Sequence, residues 1–191
     1  MRVRLQVAFI TGQSDPGRCA LSPEQQAFLD ALPVPEHAKV RRNFPYEESL
    51  PYREVSLAVA SVNNVRQFLR AGSATFAERH RAPVRRMLEG ADHTLFLAGS
   101  CGLELLAGLL LPPAELARVS VFAYGPVARR APACEIVRVR GRGDWVSRAW
   151  VTSVDHLVAG GHMHYLENAD VRRLCLAMLR RLETRIDGAL P

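Results

Sequence analysis

The stretch LFLAGSCGLELL, Leu95–Leu106, decides the fold. An apolar run ends in Ala98-Gly99-Ser100-Cys101-Gly102, and a helical pattern follows at once. A strand buried on both faces of a parallel sheet reads as a continuous run of Val, Ile, Leu and Phe, so His93–Ala98 predicts a central strand. A turn this tight from strand to helix strains its central residue and needs small residues two positions before and after, where strand and helix approach each other. Ala98 and Gly102 meet that condition around Ser100. Around Cys101 the corresponding neighbours are Gly99 and Leu103, and Leu103 is too large. Ser100 is therefore the candidate nucleophile, with Cys101 contributing its backbone N–H.

Outward from this turn the chain alternates apolar runs with amphipathic stretches, which is the pattern of βα repeats. Further strands are predicted over Leu5–Thr11, Val119–Tyr124, Cys134–Arg140 and Val154–Ala159, with a weak, polar one near an edge at His37–Asn43. Helices are expected over Ser22–Leu32, which opens with Ser-Pro, and over Ser73–Leu88, where Pro83 should kink or restart the helix. Another is expected over Gly102–Leu111. In the last, Val171, Leu174, Cys175, Met178, Leu182 and Ile186 form one apolar stripe. The expected architecture is a doubly wound, mostly parallel α/β sheet of about six strands with helices on both faces. Residues 1–191 are expected to form one domain, within the roughly 100–200 residues usual for one. Pro45–Gly72 has no clear assignment.

A serine hydroxyl becomes a useful nucleophile only when a base takes its proton and an acid holds that base in the right tautomer. The small-x-Ser-x-Gly turn between strand and helix resembles the nucleophile elbow of the α/β-hydrolase superfamily, with Ala98 where that family commonly has Gly. The resemblance covers most of the chain in trimmed form and implies the order Ser, acid, His. VRVRGRGDWVSR, two strands after the elbow, resembles the loop that presents the acid, which points to Asp144. HLVAGGHMHYLEN, one strand later, resembles the loop that ends in Gly-His, which points to His162. His164 competes; the family's His directly follows Gly, so His164 is expected to line the site or cap the helix. The resemblance also implies an oxyanion hole built from the N–H groups of Cys101 and Gln13, with Gly12 allowing the turn and Ser14 on the same rim. His156 is expected to be structural, and His37, His80 and His93 to be surface or edge residues. The connection Gly125–Ala133 is too short to carry a lid, leaving Pro45–Gly72 as the segment able to cover the site.

Composition bounds the rest. Nearly half the residues are apolar (48%) and 23% are charged, as in a chain that buries a core. No leader peptide or apolar run long enough to span a bilayer is expected, so the expected location is cytoplasmic, with no membrane partner. The four cysteines show neither zinc-ligand nor disulfide spacing, so no metal is expected, and no cofactor is called for. The net charge of +6 is carried by arginine, Lys39 being the only lysine. The arginines are dispersed, which suits a solvated surface; they would also suit an acidic acyl carrier protein. No nucleic-acid-binding motif accompanies them. The expected function is ester or thioester hydrolysis of a small-molecule or carrier-bound acyl substrate. A non-catalytic binding protein that keeps the fold is the alternative.

Overall fold

The computed structural model describes residues 2–47 and 50–188. Six strands form one all-parallel sheet: β1 (Val3–Ile10), β2 (Lys39–Phe44), β3 (Ala91–Gly99), β4 (Val119–Tyr124), β5 (Glu135–Gly141) and β6 (His156–Val158). Their spatial order is β2-β1-β3-β4-β5-β6. Strands β1, β3 and β4 are the most continuously apolar and the most buried, because both of their faces are covered. The last strand is shorter than its sequence suggests.

Side chains of β1 divide the core in two. Ala8 and Ile10 join Phe96, Ala98, Val121 and Ala123 on one face of the sheet. This face is covered by α3 (Ala74–Glu89) and α4 (Gly102–Gly108), with Phe68 and Ala71 at the end of α2 (Leu57–Arg70). Val7 and Phe9 join Leu95, Leu97 and Phe122 on the other face, under α1 (Pro23–Asp30) and α7 (Ala169–Gly188). The chain is thus doubly wound, with helices on both faces. Ser22 caps α1 in a capping box with Gln25.

Two short helices complete the set: α5 (Pro113–Leu116) precedes β4, and α6 (Trp145–Trp150) joins β5 to β6. No helix separates β4 from β5, in keeping with the brevity of that connection. Two local expectations are corrected. Pro83 does not break α3, which runs through it as one helix. Pro83 is itself buried with Phe76, Val84 and Leu88, and this packing outweighs the lost hydrogen bond.

His93 is no surface residue either. It is only 7% exposed, and its Nε2 lies 2.9 Å from Ser120 Oγ. Ser120 in turn donates to Glu135 at 3.1 Å, so the shared proton count has His93 donating to Ser120. Burial, and then the Arg185 guanidinium, pull His93 down to about 4. A depressed histidine stabilises the fold above its unfolded value near 6.5 and withdraws that support as pH falls toward 4. Wild-type stability in urea should drop across that window by on the order of 2 kcal/mol more than that of His93→Gln, allowing for solvent screening. Parallel stability–pH curves would show that His93 contributes nothing to acid sensitivity.

Candidate functional site

In open α/β sheets the crevice at the carboxyl ends of the strands, where the chain reverses its winding direction, is the usual binding position. Here the reversal falls at β1, which pairs with β2 on one side and β3 on the other. Ile10 and Ala98 are register partners at the ends of β1 and β3, so the loops carrying Gly12–Ser14 and Ser100 leave the sheet side by side.

Ser100 has φ of +50°, a left-handed conformation that costs a non-glycine residue roughly 1–2 kcal/mol. The turn is held open on both sides: Ser100 N–H donates to the Tyr124 carbonyl at 3.3 Å, and the Ser100 carbonyl accepts from Val127 N–H at 2.8 Å. The small residue predicted after the elbow is required sterically. A Cβ on Gly102 would lie 1.8 Å from the Ile10 carbonyl oxygen, where no side chain fits. Ser100 itself is partly exposed, whereas Cys101 is buried.

Asp144 and His162 are brought together. The Asp144 carboxylate, 1% exposed, receives His162 Nδ1 at 2.9 Å, the Ser147 amide at 2.8 Å and the Tyr165 hydroxyl at 2.5 Å. Burial works against its charge, but hydrogen bonds from Tyr165, Ser147 and His162 overcome that and hold the carboxyl below its ordinary range. Asp144 also caps α6, which fixes its position by the same bond to Ser147. The two loops touch because Gly141 has no side chain: a Cβ there would lie 2.4 Å from the Gly160 carbonyl oxygen. Gly143 N–H donates to that carbonyl at 3.0 Å.

With Nδ1 bound to a carboxylate, the neutral His162 ring carries its proton on Nδ1 and leaves Nε2 free to act as a base. Among the described residues neither His162 Nε2 nor Ser100 Oγ makes a hydrogen bond. Asp144 and His162 are joined, and the serine side chain stands apart from them in hydrogen-bonding terms.

The loop after β1 holds a second departure from expectation. Gln13 N–H is already occupied, donating to Gln67 Oε1 of α2 at 2.6 Å. Tyr46 donates to the same oxygen at 2.8 Å, and Gln67 Nε2 donates to the Gln13 carbonyl at 3.0 Å. Asn63 Nδ2 reaches the Ser14 carbonyl at 2.8 Å, and a Cβ on Gly12 would run into Asn64. Thus α2, within the Pro45–Gly72 segment that the sequence leaves unassigned, packs over Gly12–Ser14. The Cys101 thiol is pushed up to about 12 by burial, with the backbone N–H groups of Cys101 and Gly12 against its sulfur. A thiol so held stays protonated and is no competing nucleophile.

His164 is exposed and pairs with Glu167 at 3.3 Å, away from Asp144. Sequence reasoning missed Tyr165 and Gln67. Tyr165 stands three residues after His162, a signal visible only once the loop's hydrogen bonds are known. It accepts from Gly141 N–H at 2.7 Å while donating to Asp144.

No protein-family model matches the chain, and neither does any curated protein. Among solved structures it is similar to the protein Atu2452 of unknown function from Agrobacterium tumefaciens str. C58, at 12% identity and a TM-score of 0.45, over 95% of this chain and 93% of that one.

Tyr165→Phe removes the donor to Asp144 and the acceptor for Gly141 while keeping the ring. It should lower stability in urea by about 1–3 kcal/mol, the cost of leaving buried partners unpaired. An unchanged urea midpoint would mean that water or a neighbour replaces the hydroxyl.

Proposed function

We propose that the chain is a serine hydrolase of α/β-hydrolase type that cleaves an ester or thioester through an acyl-enzyme. The observation that carries this reading is the bond between buried Asp144 and partly exposed His162, together with Ser100 at positive φ, each at the carboxyl end of its strand. In the reaction, Ser100 Oγ attacks the acyl carbon while its proton passes to His162 Nε2. Asp144 stabilises the imidazolium and keeps the ring oriented. The negative charge that develops on the acyl oxygen is met by the Cys101 N–H, and by the Gln13 N–H when Gln67 withdraws from it. His162 then protonates the leaving alcohol or thiol. Water, deprotonated by the same ring, releases the acid and restores Ser100.

The acyl group would be presented as a small molecule or on a carrier protein; the net positive charge of the chain suits an acidic carrier. The runner-up is a non-catalytic binding protein. It is favoured by the missing Ser100–His162 bond and by the Gln13 amide being closed by Gln67.

Treatment with a fluorophosphonate, followed by mass spectrometry, separates the two. On the hydrolase reading Ser100 is labelled, and Ser100→Ala abolishes the adduct. His162→Ala and Asp144→Asn should slow labelling roughly a thousandfold or more. Gln67→Ala should speed it by freeing the Gln13 amide. A folded protein that takes no label at Ser100 in either the wild type or Gln67→Ala is the binding protein.

A further inference from the structure

Helix α2 meets the rest of the protein through few apolar side chains. Apart from Phe68, and Ala71 at its end, its inward side carries the amides Asn63, Asn64 and Gln67, two of them bonded to the loop after β1. Its outward side carries Val59, Val62, Val65 and Leu69, which are 49%, 50%, 57% and 61% exposed. At 100° per residue these four fall on one sector of the helix. A surface helix of a globular protein ordinarily has the reverse arrangement, and scattered exposed valines would need no account, but a segregated stripe does.

The charge on that sector is one-signed. Arg66 and Arg70 lie along its flank, and neither guanidinium has a hydrogen bond or ion pair among the described residues. Residues 57–70 contain no Asp or Glu, and the nearest acid in sequence, Glu54, precedes the helix. The far end of α2 is anchored: Arg129 stacks on Phe68 at 4.5 Å and donates to its carbonyl at 3.0 Å, while holding the fully buried Glu104. Trp150 packs edge-on against Phe68 at 4.7 Å and stays 47% exposed. The apolar stripe is therefore presented on a fixed helix and is not a fraying segment.

We infer that the outer face of α2 docks on an anionic lipid surface, with the valines and Leu69 entering the headgroup–acyl boundary and Arg66 and Arg70 meeting lipid phosphates. An apolar stripe flanked by unpaired arginines is the composition such interfacial helices use. A second copy of the chain fits the same face poorly, since a two-fold contact would press two positively charged patches together, and residues 57–70 hold no acid to pair with Arg66 and Arg70. The association is peripheral: no helix among the described residues is long and apolar enough to cross a membrane. This inference does not depend on the serine hydrolase reading.

The test is co-sedimentation of the full chain with phosphatidylcholine vesicles, with and without phosphatidylglycerol, alongside tryptophan fluorescence in a Trp145→Phe background so that Trp150 reports from beside α2. The expected result is binding to the phosphatidylglycerol vesicles, weakened by salt, with a blue shift of Trp150. Arg66→Gln/Arg70→Gln should lower the partition coefficient roughly thirtyfold, at about 1 kcal/mol per arginine. Val62→Ser/Val65→Ser should remove the blue shift. All four side chains are exposed, so circular dichroism and thermal midpoint should stay at wild-type values in both variants. Failure to bind either vesicle, or binding that both variants retain in full, overturns the inference. So does a concentration-dependent dimer that the valine variant abolishes, which would give the face to a second copy.

Discussion

The close approach of β1, β3 and the start of α4 governs the rest of this molecule. Ile10 pairs with Ala98 at the strand ends, and Gly102 sits on the Ile10 carbonyl with no room for a side chain. This contact forces the chain to turn within two residues and puts Ser100 into a left-handed conformation. It also sets the Gly12–Ser14 loop against Cys101. The strain is local and small against the burial gained by strands whose core residues are fully enclosed.

A second constraint operates at the other side of the site. A buried carboxylate is costly unless its oxygens are satisfied, and Asp144 is satisfied by three separate donors. One comes from α6, and two come from the loop after β6. The carboxylate thus fastens together the loops after β5 and β6. His162 is oriented as a consequence. The same arrangement serves stability and keeps an imidazole nitrogen available, which is why the Asp144–His162 pair carries the functional proposal.

The sequence was most legible where sterics leave one solution. Of Ser100 and Cys101, only Ser100 has small residues two positions away on both sides, and the long apolar runs of β1, β3 and β4 mark buried strands. Asp144 and His162 are legible in the sequence only through resemblance, since no local pattern distinguishes a capping Asp from a solvated one. What stayed hidden depends on long-range partners. Gln67 is an ordinary helical glutamine until the fold places it on the Gln13 amide. Tyr165 gains its role from a loop closure eighteen or more residues away in pairing terms, between Asp144 and His162. His93 looks exposed because it stands at a strand's start, yet Arg185 and Glu135 of distant elements enclose it. Pro83 shows the converse case, where packing overrides a local rule.

On the proposed hydrolase reading, Ser100 forms a covalent acyl intermediate with His162 as its base. Rapid mixing with p-nitrophenyl acetate, quenched on the millisecond scale and read by peptide mass, decides it. A burst of p-nitrophenol matching the protein present is expected, with an acetyl group on the peptide containing Ser100. Release of p-nitrophenol at the same rate from wild type and Ser100→Ala, with no acetyl on that peptide, would contradict it.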